Sequence, residues 1–441
     1  MELLLGNTEG ALESGNVRTK QQRIARLAGQ MPEAGFTSLA YYIDLEWLKE
    51  AYKGVRKSGA TGVDGVTAEE YEKDLEENLG SLLERFKSGS YYAPAVKRVY
   101  IPKGDGKKRP IGIPALEDKI LQRAVVMVLQ PLYEVDFLDV SFGFRPGRSV
   151  HDALEALRKA AMDMGGCWVL EVDIKSYFDT VEHASLREFV GKRVRDGVIL
   201  RIIGKWLKAG VMEDGMIHYP AEGTPQGGVI SPLLSNIYLH EVLDVWFEQE
   251  VRPHLEGKAA LIRYADDYVV LCTSERDARR IEEVLPKRFG KYGLKIHEDK
   301  TRLLDFHRPK GGQGKSETFD FLGFTHYWGK TRKGGWAVKR KTAKKKLKAA
   351  IRRVYEWCKG NRHRPVKEQW ETLGAKLKGH YQFYGITCNW RSLSSFHEAA
   401  KRSWRKWLDR RSRQKDMPWE RFERLLQRYP LPRPRIAHSY T

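Results

Sequence analysis

Hydrophobic and polar positions follow helical and strand periods in different parts of the chain. Between residues 44 and 57 the apolar positions recur at intervals of three and four, which predicts an amphipathic helix. Thr67 followed by Glu70 has the pattern of a capping box at the start of a second helix. The run from Ile120 to Tyr133 is apolar enough to predict a further, buried helix.

Two pairs of short apolar runs predict β-hairpins. Ala95–Pro102 and Arg109–Pro114 flank a Gly-Asp-Gly turn. Leu261–Leu271 reads as two apolar strands on either side of the acidic segment Tyr264–Asp267. From Thr342 onward the pattern is helical, whereas strands and helices are mixed before it. The chain is therefore expected to be a mixed α and β body followed by an all-α segment.

The charge of the chain is concentrated in its last quarter. The 441 residues carry a net charge of +21, with a pI of about 9.6. Residues 330–441 hold 32 Lys/Arg against 8 Asp/Glu, a balance of +24, whereas the first 329 residues have a balance of −3. Seven of the twelve tryptophans lie in this basic segment. Such a composition favours a polyanionic partner that is contacted through phosphates and stacked bases, although tryptophans in helix cores would give the same count.

Several classes of protein are disfavoured by the sequence. The longest apolar run, Ala124–Leu129, is far below the roughly 20 residues that a membrane-spanning helix needs. Only three leucines follow Glu2, so no secretory leader is visible. The four cysteines are far apart, which argues against disulfide scaffolds and cysteine zinc sites. We therefore expect a cytoplasmic protein with no membrane partner.

Acidic residues follow two of the predicted strands. Asp173 ends the buried strand Trp168–Val172, and Asp266 and Asp267 lie at the tip of a hairpin 93 residues later. Carboxylates at strand ends are suitable ligands for Mg²⁺ beside substrate phosphates. Two such ions about 4 Å apart support in-line phosphoryl displacement. An Asp-Asp pair in a turn is common by itself, so its apolar flanks are what make the hypothesis specific.

Eight sequence blocks, taken together, resemble the reverse transcriptases encoded by bacterial group II introns, of the maturase type. The resemblance covers residues from about 45 to 430. The blocks, in chain order, are Ile101–Lys103, Arg109–Pro114, Ser141–Ser149, Asp173–Asp179, Thr224–Leu233, Tyr264–Asp267, Glu298–Thr301 and Phe321–Phe324.

This resemblance implies an α+β right-hand polymerase with a C-terminal all-α thumb and maturase domain. The expected divisions are an N-terminal extension at 1–37, fingers at 38–165, palm at 166–329 and the basic helical domain at 330–441. The DNA-binding region and cysteine-rich endonuclease that many intron proteins carry are expected to be missing.

The resemblance also assigns roles at the predicted metal site. Asp173, Asp266 and Asp267 correspond to the metal-binding carboxylates, with the Ile174 carbonyl as a further ligand. Two Mg²⁺ ions, with Mn²⁺ as a possible substitute, are the implied cofactor. Lys300 would protonate the departing pyrophosphate. A solvated lysine at a strand end is the alternative.

Four residues are assigned to the incoming nucleotide. Lys103 and Arg109 would bind its triphosphate, because an ammonium and a guanidinium both suit phosphate oxygens. Phe178 would stack under the sugar and exclude a 2′-hydroxyl. Gln226 would lie in the loop next to the nucleotide. The alternatives are a solvated basic hairpin for the two cations and core packing for Phe178.

Three residues are assigned to the primer and template. Arg145 and Arg148 would contact the template backbone, with local salt bridges as the alternative. Gly323 would allow close approach of the primer end.

The implied function is RNA-directed DNA polymerisation, with added help in folding and splicing an intron RNA and in its retrohoming. The partners would be an RNA template, a DNA or RNA primer, dNTPs and group II intron RNA. Two alternatives stay open: an RNA-binding maturase or splicing factor with little polymerase activity, and a host-adopted, defence-associated reverse transcriptase.

Overall fold

The structure is a computed structural model that describes residues 17–102, 108–213, 216–218, 227–309, 316–411 and 417–439. It divides into two compact units, residues 1–153 with 170–303 and residues 154–169 with 304–441. These boundaries differ from the four segments expected from the sequence, whose functional division stays a prediction.

The helices of the described residues largely follow the apolar periodicity. In chain order they are α1 (Val17–Gln30), α2 (Leu45–Lys53), α3 (Ala68–Glu72), α4 (Leu75–Ser88), α5 (Leu116–Asp136), α6 (Val150–Asp163), α7 (Tyr177–Thr180), α8 (His183–Arg193), α9 (Gly197–Lys208), α10 (Ser231–Leu239), α11 (Glu275–Gly290), α12 (Lys344–Gly360), α13 (Val366–Tyr384), α14 (Trp390–Asp409) and α15 (Trp419–Arg428). The π-helical turns His240–Asp244 and Phe247–Val251 follow α10 along the chain.

The strands of the described residues form three sheets. They are β1 (Val96–Pro102), β2 (Lys108–Ile113), β3 (Gly166–Val172), β4 (Val211–Glu213), β5 (Met216–His218), β6 (Ala259–Tyr264), β7 (Asp267–Cys272), β8 (Arg302–His307), β9 (Phe319–Phe321), β10 (Phe324–Lys330) and β11 (Trp336–Thr342). The strand orders are β2-β1-β4-β5, β6-β7-β3-β8 and β11-β10-β9. Both predicted hairpins are present as antiparallel pairs, β1 with β2 and β6 with β7.

The predicted capping box is confirmed at the start of α3. The Glu70 amide donates to Thr67 Oγ1 at 3.2 Å, and the Thr67 amide donates to Glu70 Oε2 at 2.9 Å. Each bond satisfies an amide that the helix itself leaves without a partner.

Helix α5 forms the centre of the first unit. It is apolar on most sides, as a fully enclosed helix must be, and it contacts α1, α2 and α10. The buried Trp47 indole donates to the Ala124 carbonyl at 3.0 Å. The buried Asp118 carboxylate accepts from Tyr91 Oη at 2.8 Å and from Trp206 Nε1 at 2.9 Å. Burial raises the pKa of Asp118 to about 6. These polar contacts tie α5 to α2, to α9 and to the segment after α4, across an otherwise apolar core.

The second unit has a separate core made by its C-terminal helices, in which Trp404 is fully buried. The Trp404 indole donates to Gln369 Oε1 at 3.1 Å, and Gln369 in turn donates to the Arg364 carbonyl at 2.8 Å. Trp407 is also buried, whereas Trp390 and Trp419 are 52% and 40% exposed. The tryptophans of the basic segment therefore include both core and surface residues.

Within the described part of the chain, the structure has no helix that is both long enough and apolar enough to cross a bilayer.

Candidate active site

The acidic hairpin of β6 and β7 has a loop of only two residues. Tyr264 pairs with Asp267, so Ala265 and Asp266 form the whole connection. Ala265 has φ 57°, the left-handed region that an L-residue enters at a cost of about 1–2 kcal/mol. Such a conformation persists only where neighbouring contacts hold it.

One of these contacts comes from the Gly/Arg loop that follows α5. The Phe142 amide donates to the Arg263 carbonyl at 2.9 Å, which aligns this loop with β6. Gly143 then packs directly on the acidic turn, since a Cβ atom there would lie 2.3 Å from the Ala265 nitrogen. The Asn236 side-chain amide donates to the Gly143 carbonyl at 2.7 Å. The turn is thus enclosed by backbone on one side.

A buried ion pair holds the turn from inside. Arg263 and Asp244 are both fully buried, and Arg263 donates from Nε and Nη2 to the two Asp244 carboxylate oxygens at 2.7 and 2.5 Å. Arg263 Nη1 donates to Asn236 Oδ1 at 3.0 Å and to the Ala265 carbonyl at 3.1 Å. The peptide bond between Ala265 and Asp266 therefore accepts a hydrogen bond from the Arg263 guanidinium, whose orientation is fixed by Asp244.

Asp173 follows β3 and is held by the segment after α11. The His297 amide donates to the Asp173 carbonyl, and the Lys175 amide donates to the Lys295 carbonyl, both at 2.8 Å. This pairing brings Lys300 to the carboxylate, with Lys300 Nζ 2.5 Å from Asp173 Oδ2. The two side chains are 57% and 35% exposed, so the ion pair is open to solvent.

The negative charge of Asp173 affects the pKa of Asp266. The pKa of Asp266 is raised, chiefly because the carboxyl is largely buried and further because Asp173 is near. A backbone hydrogen bond and the positive charges of Arg109 and Arg263 lower this pKa in part. Two carboxylates that repel each other, with cations only partly compensating, form an environment that would be stabilised by a bound cation.

The donor set suits a metal ion that is shared with substrate. The described residues contain no cluster of three or more His, Cys, Asp or Glu side chains that could hold a metal by themselves. Mg²⁺ commonly needs only one or two carboxylates, because waters and substrate phosphates supply its other ligands. Asp173 and Asp266 provide two, and Asp267 at the start of β7 is exposed. The two backbone hydrogen bonds on either side of Ile174 are made by Asp173 and Lys175. The Ile174 carbonyl oxygen accepts neither of them, so it can coordinate a metal ion.

The hairpin of β1 and β2 carries the predicted triphosphate contacts. Arg109 is exposed on β2, opposite Ile101, and its charge reaches Asp266. Lys103 and Gln226 lie outside the residues that the structure describes. Gly227, next to Gln226, has φ 119° and packs against the β2 backbone, where a Cβ atom would lie 2.4 Å from the Gly112 carbonyl oxygen.

Phe178 lies in the short helix α7, five residues after Asp173. Its neighbour Tyr177 is buried and donates from Oη to the Ser235 carbonyl at 2.8 Å. Phe178 itself is only partly buried, and its ring meets the Tyr177 ring edge-on with 5.4 Å between centroids. Phe178 therefore rests on a fixed residue and keeps part of its ring accessible.

Gly323 lies in a tight turn of the second unit. Phe321 pairs with Phe324, so Leu322 and Gly323 are the two loop residues, with φ 50° and 87°. Positive φ at both loop positions is typical of a type I′ hairpin. The Gly323 carbonyl accepts from the Ala343 amide at 3.0 Å, which fixes the turn at the start of α12.

Comparison with known proteins adds the deciding observation. Residues 101–326, just over half of the chain, match the family described as reverse transcriptase (RNA-dependent DNA polymerase). The chain belongs to the reverse transcriptase family. The match includes β2, the acidic hairpin of β6 and β7, and every candidate residue from Lys103 to Gly323. It confirms the α+β reverse transcriptase fold expected from the sequence.

Two relatives of this reverse transcriptase illustrate its place in the family. It is 38% identical to protein YkfC of Escherichia coli K12 over 318 residues, which are 64% of this chain and 83% of YkfC. It is also 38% identical to the group II intron-encoded protein LtrA of Lactococcus lactis over 226 residues, 50% of this chain but only 37% of LtrA. The predicted similarity to group II intron reverse transcriptases is thus confirmed.

Among solved structures, a telomerase from Candida albicans in complex with a fragment of telomeric RNA overlaps 82% of this chain and 65% of its own. The identity is 13% and the TM-score 0.43, which is too low to add to the family assignment.

The two arginines predicted to contact the template have local partners. The Arg145 side chain is 4% exposed, and it donates to Glu134 Oε2 at 3.0 Å and to the Leu138 and Ser141 carbonyls at 2.7 and 2.9 Å. This burial favours the salt-bridge alternative, so Arg145 is left out of the proposed template surface. Arg148 pairs with Asp139 at 2.5 Å and is 28% exposed, and its template contact stays a prediction.

The supporting residues of the site were not singled out from the sequence. Arg263 offered a signal, because a single arginine inside the apolar strand Ala259–Tyr264 must find a buried partner. The sequence around its partner Asp244 gave no such signal of burial, since an acidic residue in a helical stretch is usually exposed. Gly143 and Asn236 also act only through contacts that the folded chain creates.

The buried ion pair yields a test that separates stability from positioning. Arg263→Met leaves the Asp244 charge buried without its partner, which should cost about 3–5 kcal/mol of unfolding free energy. Arg263→Met combined with Asp244→Leu should recover most of that loss in chemical denaturation. Because the bond to the Ala265 carbonyl is still missing, the double variant should remain poor in primer extension on an RNA template. Full activity in the double variant would show that Arg263 does not position the turn.

Gly143 yields a second test of the turn. Gly143→Ala places a methyl group against the backbone of Ala265, so the turn must shift and primer extension should fall at least tenfold, about 1.4 kcal/mol in transition-state stabilisation. Gly191→Ala in α8 is the matched control, because apart from its chain neighbours and its own helix backbone no atom lies within 4 Å of the added Cβ. The control should keep its activity and gain slightly in thermal stability through helix propensity. Equal activity of the two variants would contradict the proposed contact.

Proposed function

We propose that this chain is an RNA-directed DNA polymerase that adds dNTPs to a primer 3′ end through two divalent metal ions. The observation that supports it most directly is the pairing of Asp173 and Asp266. Within a chain of the reverse transcriptase family, a buried network holds the turn that carries Asp266, and the charges of Asp173 and Arg109 both act on the Asp266 carboxyl. The two carboxylates meet the charge requirement of phosphoryl transfer, which depends on positioning and neutralisation.

Different residues are proposed to bind the metal ions and the triphosphate. Asp173 and Asp266 would hold Mg²⁺, or Mn²⁺ in its place, together with Asp267 and the Ile174 carbonyl. When bound, the ions would activate the primer hydroxyl and stabilise the leaving oxygen. Arg109, with Lys103, would bind the triphosphate.

Lys300 is proposed as the proton donor to pyrophosphate. Its ammonium group already lies 2.5 Å from Asp173 Oδ2 and is more than half exposed. If Asp173 held a metal ion, the Lys300 ammonium group would be free to turn toward a phosphate. A general acid must lie within hydrogen-bond reach of the leaving group. The exposure of Lys300 and its contact with a proposed metal ligand support this role.

RNA is the proposed macromolecular partner, as template and as group II intron RNA whose splicing the protein assists. The support is the balance of +24 in residues 330–441 and the similarity to LtrA, which is named as a group II intron-encoded protein. The chain spans 37% of LtrA, so this role is inferred for the shared region alone.

The alternative functions remain distinguishable by experiment. A maturase or splicing factor with little polymerase activity would bind RNA without extending a primer. A defence-associated enzyme would polymerise without promoting splicing of an intron RNA. The intact acidic pair favours the polymerase over the purely RNA-binding maturase, because that maturase has no need for two adjacent carboxylates.

The metal hypothesis is tested by Asp266→Asn, which removes the charge and keeps the shape. Primer extension on an RNA template with Mg²⁺ should fall by at least about a thousandfold, or roughly 4 kcal/mol. RNA affinity should stay within a few-fold. Asp163→Asn, at an exposed position of α6, is the matched control and should be fully active. Chelation of Mg²⁺ should abolish extension by the unmodified protein, and near-normal extension by Asp266→Asn would remove this residue from the metal site.

The sugar hypothesis is tested by Phe178→Val. A smaller side chain should admit a 2′-hydroxyl, so incorporation of ribonucleotides should rise relative to deoxynucleotides on one primer–template. If Phe178 only packs, the substitution should instead lower both activities together with the melting temperature, by about 1–3 kcal/mol of stability. The incorporation ratio and the melting temperature, measured on the same preparation, separate these two results.

A further inference from the structure

A basic cleft opens in the first unit between α8, α9 and the segment before β1. Its volume is about 480 Å³. Its lining includes Arg187, Arg201, Lys205 and Lys208, together with Tyr92 and Gly204. These four cations are among ten lining residues, and none of the ten is acidic. The cleft shares no residue with the candidate active site.

Three of the four cations of the cleft lie along one face of α9. Arg201, Lys205 and Lys208 are spaced by four and three residues on α9, so their side chains project from the same side. At 1.5 Å per residue the three positions extend over about 10 Å of helix. Arg187 adds a fourth charge from α8. A row of charges of this length exceeds the size of a single phosphate group.

Two of these cations are placed by the segment at the α4 C-terminus. Lys205 Nζ donates to the Gly89 and Tyr91 carbonyls at 2.7 and 2.6 Å, which fixes it in the wall of the cleft. The Arg201 guanidinium lies over Gly89, where a Cβ atom would be 2.1 Å from Nη1. Arg187, Arg201 and Lys208 are exposed, and none of them forms an ion pair with another described residue. Their charges are available to a ligand.

The rim of the cleft carries an accessible aromatic ring. Tyr92 is 73% exposed, although a tyrosine usually buries much of its ring. Unpaired RNA bases stack on such rings, while the neighbouring cations bind the backbone. Gly204 lies between Arg201 and Lys208 on α9. Apart from its chain neighbours and the backbone of its own helix, no atom lies within 4 Å of the point that a Cβ would occupy. A side chain added at Gly204 would therefore project into the cleft without a clash.

We propose that this cleft binds the phosphodiester backbone of an unpaired RNA segment, with one base stacked on Tyr92. The cations extend over about 10 Å of helix, which favours a chain of several phosphates as the ligand. A free nucleotide would contact only some of these cations. The proposal rests on the proposed function in one respect, that RNA is the partner of this chain.

Gly204 allows the cleft to be blocked without removing any native side chain. Gly204→Gln would fill the space, and Gly204→Glu would fill it equally and place a negative charge among the cations. Gly204→Ala is the matched control that changes only helix propensity. The probe is a fluorescently labelled single-stranded RNA of about 20 nucleotides, titrated with full-length protein between about 50 and 200 mM salt. We expect the Glu variant to bind about tenfold more weakly, the Gln variant to be intermediate, and the Ala variant to bind normally.

A second variant removes the charges themselves. Arg187→Gln with Arg201→Gln changes two exposed residues, so folding should be preserved and circular dichroism can verify it. The slope of log affinity against log salt should decrease by about 1.4, or about 0.7 for each lost phosphate contact on a single strand. Lys73→Gln, at an exposed position outside the cleft, should leave the slope nearly unchanged.

Competition distinguishes the possible sources of phosphate. Unlabelled RNA should displace the probe, whereas dNTPs and pyrophosphate should not do so in the Asp266→Asn background. Displacement by pyrophosphate at low concentration would overturn the choice of RNA. Unchanged affinity and salt slope in both the Gly204→Glu and the double arginine variants would overturn the cleft as a binding site.

The two proposals fail in different ways. If the unmodified protein extends primers while all cleft variants bind RNA normally, only the cleft proposal is wrong. If the unmodified protein binds RNA through the cleft but extends no primer, only the polymerase proposal is wrong.

Discussion

The candidate active site depends on the buried ion pair of Arg263 and Asp244. Both side chains are removed from water, so each needs the other and neither can leave without a large loss of free energy. That mutual dependence leaves Arg263 with one orientation, in which its remaining donor group bonds to Asn236 and to the Ala265 carbonyl. The strained turn before Asp266 is consequently set by a core interaction and does not rely on the exposed loop itself.

The rigid turn keeps the Asp266 carboxylate under the influence of the Asp173 charge. A flexible loop would let Asp266 move away from Asp173, and the repulsion between their carboxylates would relax. The fixed turn prevents that movement, and burial together with the Asp173 charge keeps the pKa of Asp266 raised. Lys300 partly neutralises Asp173 from the solvent side. A site in which negative charge is held together and only partly neutralised is prepared for cationic ligands before substrate arrives.

Local patterns predicted the elements of the fold, whereas the contacts between distant segments were beyond their reach. The capping box at Thr67 and the acidic hairpin were predictable because short runs of consecutive residues specify them. The resemblance to group II intron reverse transcriptases assigns Arg145 to the template, yet its guanidinium donates to Glu134 and to nearby backbone carbonyls. The sequence around a loop arginine does not show whether its side chain is buried. The same limit hid Asp244, whose partner is 19 residues away and whose burial depends on how the following strand packs.

Charge counted along the chain is also an incomplete guide to where RNA can bind. The first 329 residues are nearly neutral as a whole, so the count alone favours the basic C-terminal segment. In the folded first unit, however, acidic residues such as Asp244, Glu134 and Asp139 are paired with arginines elsewhere, while Arg187, Arg201 and Lys208 meet around one cleft. Electrostatic attraction acts over a Debye length of about 10 Å, so a polyanion responds to the local arrangement and not to the sum. A near-neutral unit can therefore present a strongly basic surface, and RNA contacts are expected in both units of this reverse transcriptase.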